Sequence, residues 1–298
     1  MHDGDIGADA FEEHRAHLRA VAYRMLGSLA EADDAVQDTW LRYSGADVEE
    51  VRNLGGWLTT VISRICLNML RSRASRREQP IDETFVPDPV VRPLSEIDPE
   101  REVLQADSVG LALLVVLENL EPAERLAFVL HDMFAVPFDE IAPVVERSAD
   151  ATRQLASRAR RRVRGATPSA DPDLGRQRKV LDAFMAAARG GDFDALLAVL
   201  DPDVVLRADS GPLAGGAAAS KAVRGARPVA EQAMMFRRFA PHGRFLLVNG
   251  TVGMANVVDG KVQSVMGVTV VGGRITQMYI LADPERLARL DPAAFGEV

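Results

Sequence analysis

In 298 residues the chain has one cysteine, three lysines and two tryptophans, and its longest apolar run is Leu111 to Leu117. A lone Cys66 excludes an intramolecular disulfide and suits a reducing compartment. Its place on an apolar helical face predicts plain core packing. The apolar run falls well short of the roughly 20 residues that span a bilayer. The acidic N-terminal stretch lacks the basic-then-apolar order of a secretory signal, so a cytoplasmic, membrane-free protein is expected. No metal-ligand spacing occurs, and Gly215-Gly216-Ala217-Ala218-Ala219 lacks the lysine context of a phosphate loop, so neither metal nor cofactor is expected. The net charge of −8 excludes a protein that coats nucleic acid indiscriminately.

Against that acidic background, positive charge is concentrated in two islands. Val144 to Arg164 carries seven arginines against Glu146 and Asp150. Trp57 to Glu78 carries Arg64, Arg71, Arg73, Arg76 and Arg77 against Glu78. Between the islands, Gln79 to Asp107 carries eight carboxylates against Arg92 and Arg101. Pro80, Pro87, Pro89, Pro93 and Pro99 break any periodicity there, which reads as a linker over 79–107.

Helical spacing recurs around it. Phe11, His14, Leu18, Val21, Ala22, Met25 and Leu26 mark a first helix, ended by Gly27, and Ser28 can cap the next, Ala30 to Tyr43. A long helix follows Gly55-Gly56, and more helices are expected at Val109–Asn119 and Ala123–His131. A short helix then leads into an arginine-rich one, the order of a helix-turn-helix, whose second helix enters the major groove. Ser148 is placed to cap it. Asp150, Ala151, Arg153, Gln154, Ser157 and Arg158 then face the groove, where Arg suits guanine and Gln suits adenine. Arg160 to Arg164, Arg161 among them, suit phosphates. After a hinge over 166–175 the texture changes to one amphipathic helix, Gln177 to Arg189, a helical stretch Pro228 to Phe239 and short β-branched runs. Asn249-Gly250, Asp259-Gly260 and Gly272-Gly273 separate the last runs as hairpin turns. An α+β domain with a curved antiparallel sheet is expected.

Ala30 to Tyr43 (AEADDAVQDTWLRY), Gly56 to Glu78 (GWLTTVISRICLNMLRSRASRRE) and Leu120 to Ala142 (LEPAERLAFVLHDMFAVPFDEIA) are similar, in that order, to regions 2 and 4 of sigma-70-family factors of the extracytoplasmic-function group. The resemblance implies two all-α sigma domains, region 2 at 1–78 and region 4 at 108–165, without region 3. It implies that Asp33, Asp34, Gln37, Asp38 and Trp40 meet RNA polymerase core at its β′ clamp helices, with the β flap a second contact. It also implies that Arg64, Asn68, Arg71, Arg73, Arg76 and Arg77 handle the −10 element, where flipping pockets and stacking serve an opened strand. Ser148, Asp150, Arg153, Gln154, Ser157, Arg158 and Arg161 then read the −35 element. The acidic linker would mimic nucleic-acid charge in the RNA channel. Asn68 stands where the group often has aspartate, which implies a shifted −10 base preference. Glu146 stands where the turn usually holds glycine; glutamate disfavours left-handed backbone, so a looser or differently shaped turn is expected.

Residues 176–298 resemble SnoaL-like domains, the cone shared with ketosteroid isomerase. A subgroup of these sigma factors carries such a tail, with a linker motif here reduced to Phe85-Val86-Pro87-Asp88-Pro89. Its tail motifs appear here as Asp209-Ser210-Gly211 and Asp283-Pro284-Glu285-Arg286-Leu287. Pro87, Asp88, Pro89, Asp209, Gly211, Asp283 and Pro284 are therefore candidate regulatory contacts. Asp209 could alternatively be a buried base with a raised pKa; a turn before Gly211-Pro212, or an interdomain contact, is the preferred reading. The expectation is a non-enzymatic sigma factor for −35/−10 promoters, regulated in cis by its tail, which could take a small-molecule or protein ligand. The alternatives are a polymerase-independent DNA-binding regulator, or an isomerase- or cyclase-like enzyme fused to a DNA-binding module.

Overall fold

The computed structural model describes residues 3–47, 51–76, 84–94, 110–166, 170–212, 214–215, 219–237 and 242–295, with backbone alone for 3–7 and 76. Arg77, the linker stretches 79–83 and 95–107, and Gly216-Ala217-Ala218 lie outside the described residues. The chain forms two compact units, 1–81 with 116–166, and 82–115 with 167–298. Among the described residues, no helix is long and apolar enough to cross a membrane.

The first unit is helical. Helix α1 (Asp3–Leu26) stops at Gly27, whose φ of +70° turns the chain, and the Ser28 hydroxyl accepts from the Glu31 amide to start α2 (Leu29–Ser44). α2 buries Ala32, Ala35, Val36, Thr39 and Tyr43 on one stripe. In α3 (Leu54–Arg76), Leu58, Ile62, Ile65, Cys66, Leu67 and Leu70 are buried. Thr59 and Ser63, buried on that helix, donate to the carbonyls of Gly55 (2.7 Å) and Thr59 (2.6 Å), so their hydroxyls cost little. Burial pushes the Cys66 thiol up to about 12, which makes it a core residue rather than a nucleophile.

The helix read at Ala123–His131 is shorter and differently shaped. α5 (Pro122–Phe128) follows α4 (Leu111–Glu118) and opens into a π-helical turn, Val129–Met133. There His131 Nδ1 bonds the Val136 carbonyl (3.0 Å) and its ring stacks on Phe138. α6 (Phe138–Val145) then meets α7 (Ala149–Ala166). The expected loose turn is absent: Glu146 takes the left-handed conformation itself, φ +58° and ψ +46°, and the Arg147 amide bonds the Ala142 carbonyl at 3.1 Å. That hydrogen bond caps α6 and offsets the side-chain penalty.

The second unit is a seven-stranded sheet, ordered β1-β4-β5-β6-β7-β2-β3, with one face packed on helices. Its strands are β1 (Val91–Pro93), β2 (Leu200–Asp209), β3 (Lys221–Arg224), β4 (Gly243–Val248), β5 (Thr251–Val258), β6 (Lys261–Val271) and β7 (Arg274–Leu281). The expected antiparallel sheet is mixed, because β2 pairs parallel to β7. A crossover through β3, a helix and three hairpin-linked strands separates these two in sequence, which permits the parallel pairing. The helices α8 (Leu174–Gly190), α9 (Phe193–Val199) and α10 (Ala226–Met235) share a core with Leu206, Met254, Met266, Val268 and Met278. The Asn-Gly, Asp-Gly and Gly-Gly turns all have positive φ at both positions, as two-residue hairpins of type I′ require.

Part of the stretch read as a linker is an edge strand. Val91, Arg92 and Pro93 pair with Val248, Leu247 and Leu246. The Val90 amide donates to Asn249 Oδ1 (3.0 Å), and the Asn249 amide donates to the Val90 carbonyl (2.8 Å). Proline survives here because an edge strand has one unpaired side.

Gly253 in β5 tests this packing. A Cβ there would stand 2.4 Å from Val248 Cγ2 and 2.5 Å from the Met266 carbonyl oxygen. Gly253→Ala is expected to destabilise the second unit by about 1–3 kcal/mol, read as a lower urea midpoint in equilibrium unfolding of the full chain.

Candidate nucleic-acid interface

α7 is capped by the Ser148 hydroxyl, which accepts from the Ala151 amide at 3.2 Å. Thr152, Ala156 and Ala159 are its buried stripe. Asp150, Arg153, Gln154, Ser157, Arg158 and Arg161 are exposed. Their spacing of three and four residues places them on one face. The face is partly ordered from within. Arg153 pairs with Asp150 and lies 5.7 Å from the Phe138 ring centroid. Glu124, almost fully buried, accepts from Arg158 Nε (2.6 Å) and pairs with Arg162 (3.0 Å). Arg160, expected at phosphate, is instead half-buried and bonded to Asp132 at 2.6 Å. The carboxylates of α5 and of the π turn reach that side of α7, which sequence spacing alone does not reveal.

On α3 the exposed residues Arg64, Asn68 and Arg71 form a second stripe. Arg73 does not belong to it. It is half-buried, paired with Glu31, and donates to the Leu26 carbonyl (3.3 Å), with Glu118 3.8 Å away. Two residues further around the helix than Arg71, it points into the unit. On α2, Asp33, Asp34, Gln37 and Asp38 are exposed, and Arg19 bonds Asp33 at 2.6 Å. Trp40 is half-buried, edge-on to Phe11 at 5.1 Å, and so serves largely as packing. Leu41, 60% exposed, shares the acidic face, and the exposure of a large apolar side chain there went unread in the sequence.

Arg125, also unread, is 1% exposed. It donates to Glu118 Oε2 (2.5 Å) and twice to the Arg24 carbonyl (3.4 Å each). This joins the end of α1 to the helices of the 108–165 segment. A single arginine in an amphipathic pattern gives no signal of such burial.

In the second unit the structure brings the candidate regulatory residues together. Val86, Pro87, Asp88 and Pro89 are all buried. Arg286 donates to Asp88 Oδ1 (2.6 Å), Asp209 Oδ2 (2.7 Å) and the Val86 carbonyl (2.5 Å). The Val86 amide donates to Asp209 Oδ2 at 3.4 Å. Asp209 Oδ1 accepts from the Gly211 amide (3.2 Å), so Asp209 makes the turn and the linker contact at once. Asp283 caps α11 (Pro284–Leu287), and a Cβ on Gly211 would fall 2.6 Å from its Oδ2. Gly211, with φ +76°, is thus required by the approach of Asp283. Arg286, the centre of the cluster, belongs to the same tail segment as Asp283 and Pro284, and its sequence gives no sign of the carboxylates it meets.

A cavity of 280 Å³ lies between α8, α10 and the sheet, and Asp209 is not among its lining residues. The buried-base reading therefore has no carboxylate in the cavity to rest on. Among the described residues, no group of histidine, cysteine, aspartate and glutamate side chains could hold a metal ion.

A basic recognition helix, a second basic helix and an acidic helical face define a promoter-binding initiation factor with an appended α+β domain. The sigma-70 region 2 family model matches residues 10–76, and the sigma-70 region 4 family model matches residues 110–163. The chain is 40% identical to the ECF RNA polymerase sigma factor SigJ of Mycobacterium tuberculosis over 93% of this chain and 91% of that one. It is 35% identical to the probable ECF RNA polymerase sigma factor SigI of the same species, over 96% and 97%. The crystal structure of M. tuberculosis SigJ superposes with a TM-score of 0.74 at 35% identity, covering 94% of this chain and 98% of that one. The chain belongs to the extracytoplasmic-function sigma factors.

Two outcomes follow from the buried charges. Arg125→Met removes the nearer guanidinium from buried Glu118 and is expected to cost the first unit about 3–5 kcal/mol, measured by denaturant unfolding. Arg286→Ala removes the guanidinium that Asp88 and Asp209 share. Hydrogen exchange of the 84–94 segment is expected to rise at least about tenfold while β5 to β7 keep their protection; unchanged exchange would show that Arg286 does not hold the segment.

Proposed function

We propose that this chain binds RNA polymerase core, carries it to promoters with −35 and −10 elements, and starts transcription there. The observation that carries the reading is the stripe Asp150, Arg153, Gln154, Ser157, Arg158 and Arg161 on a capped second helix. It offers both bidentate base readers and phosphate anchors to one groove. The face of Asp33, Asp34, Gln37 and Asp38, with Leu41 beside it, supplies the charge and the apolar anchor that a basic clamp helix on β′ accepts. Arg64, Asn68 and Arg71 contact the −10 strand.

The C-terminal domain acts in cis through the linker, and Asp88, Asp209 and Arg286 are the contacts that couple them. A domain that holds 84–94 on its own sheet shortens the free linker and limits how far the two DNA-binding modules can separate. Support comes from the ion pairs on Arg286 and from the strand pairing at Val91–Pro93.

Run-off transcription with purified core polymerase on genomic promoter fragments tests this. Transcripts that need both the chain and an upstream −35/−10 pair are expected, and silence with every fragment and with Arg286→Ala would overturn it. Within that assay, Gln154→Ala is expected to relax selectivity at one −35 position, whereas Arg161→Ala weakens all promoters alike and lowers the salt dependence of binding by about one ion.

A further inference from the structure

The arginines of the α7 stripe are not held alike. Arg153 pairs with Asp150 on its own helix, and the two side chains are 51% and 87% exposed. Ion pairs so exposed contribute little and break readily. Arg161 is exposed and has no hydrogen bond or ion pair among the described residues. Arg158, by contrast, meets a carboxylate that is out of water. Glu124 on α5 is 4% exposed and accepts from Arg158 Nε at 2.6 Å. A charge-assisted hydrogen bond in so dry a place is strong.

That bond also decides which atoms of Arg158 are left. With Nε turned to Glu124, the end-on edge of Nη1 and Nη2 makes no further hydrogen bond among the described residues, and the side chain remains 46% exposed. This edge is the fork that can bond guanine O6 and N7 together. A long side chain free in water gives up its rotamers on binding; one already held does not. The other oxygen of Glu124 lies 3.0 Å from Arg162 Nη1 without making a hydrogen bond, so Arg162 is drawn in but not aimed. Arg158 also stands within the stripe, four residues after Gln154 and three before Arg161.

We propose that Glu124 is a positioning residue for the −35 contact, and that through it Arg158 is the guanine-reading arginine of α7, with Arg161 and Arg162 on phosphates. This deepens the promoter reading above and rests on it. A carboxylate behind a face built only for phosphates would subtract from the charge that binds them. Aiming one base reader accounts for its presence.

The test is run-off transcription by holoenzyme assembled from purified core polymerase and the full chain, on promoters randomised over the −35 element, with the transcripts sequenced. Wild type is expected to prefer guanine at one position, and Arg158→Ala to lower that preference about tenfold at that position alone. Glu124→Met fills the buried volume without an acceptor. It should lower the same preference about threefold to tenfold and leave the other positions unchanged. Glu124→Gln, whose amide oxygen can still accept from Nε, should keep most of it. The double variant should lose no more than Arg158→Ala does, because the two residues act through one contact. Urea midpoints of the full-chain variants check that they fold; if Glu124→Met does not, Glu124→Asp, which draws the carboxylate back from Nε, is read in the same way. Glu124→Met weakening every position alike, or leaving the guanine preference intact, would overturn the proposal. So would Arg158→Ala acting on all positions or on none. Silence of the wild type on every promoter would instead remove the promoter reading beneath it, so the two failures are distinguishable.

Discussion

The guanidinium of Arg286 satisfies two carboxylates and a backbone carbonyl that lie 77 to 200 residues from it in sequence. It is bonded to both Asp88 and Asp209, and so offsets the repulsion of two like charges brought to one poorly solvated place. With it in place, Phe85 to Pro89 can lie against the C-terminal domain, Val90 can exchange hydrogen bonds with Asn249, and β1 can join β4. Asn249 serves two purposes there, since its left-handed backbone also closes the β4–β5 hairpin. Asp209 lies between Ala208 and Ser210, both of which line the cavity, so one strand end faces the cavity and the linker at once.

The helical unit uses its charge differently. Arg125 and Glu118 form a buried pair, and Arg73 bridges Glu31 toward the same Glu118. Buried pairs of this kind add little net stability compared with an apolar core, but they penalise every arrangement that separates the partners. Glu124 and Asp132 similarly hold Arg158, Arg162 and Arg160 in fixed directions. An arginine-rich helix is therefore a mixed surface: some guanidiniums anchor the fold and others, Arg161 among them, stay exposed.

What could be read from the sequence followed from local rules. Periodicity located the long helices, Ser28 and Ser148 announced their caps, and three two-residue turns located the hairpins. The sheet was read as wholly antiparallel because hairpin signals report neighbours in sequence, whereas the β2–β7 pairing joins strands far apart. The strand at Val91–Pro93 was hidden by its prolines, which an edge tolerates and a central strand does not. Of the candidate site residues, spacing placed Arg64, Asn68, Arg71 and the α7 stripe on exposed faces. It could not separate Arg73 or Trp40 from them, since inward or outward direction is decided by what packs alongside. Arg286 and Arg125 gave no local sign because their partners come from other parts of the chain.

The edge position of β1 ties release of the linker to a change in oligomeric behaviour. While Val91–Pro93 covers the end of β4, Leu246 to Val248 are paired on that side, and Pro93 offers no further donor to a neighbour. Lifting the segment away exposes a strand that ends in Phe245, Leu246, Leu247 and Val248, an apolar template open to strand addition. Loss of that cover would make β4 self-adhesive, and by mass action self-association would draw a larger share of the protein into the uncovered form as its concentration rises.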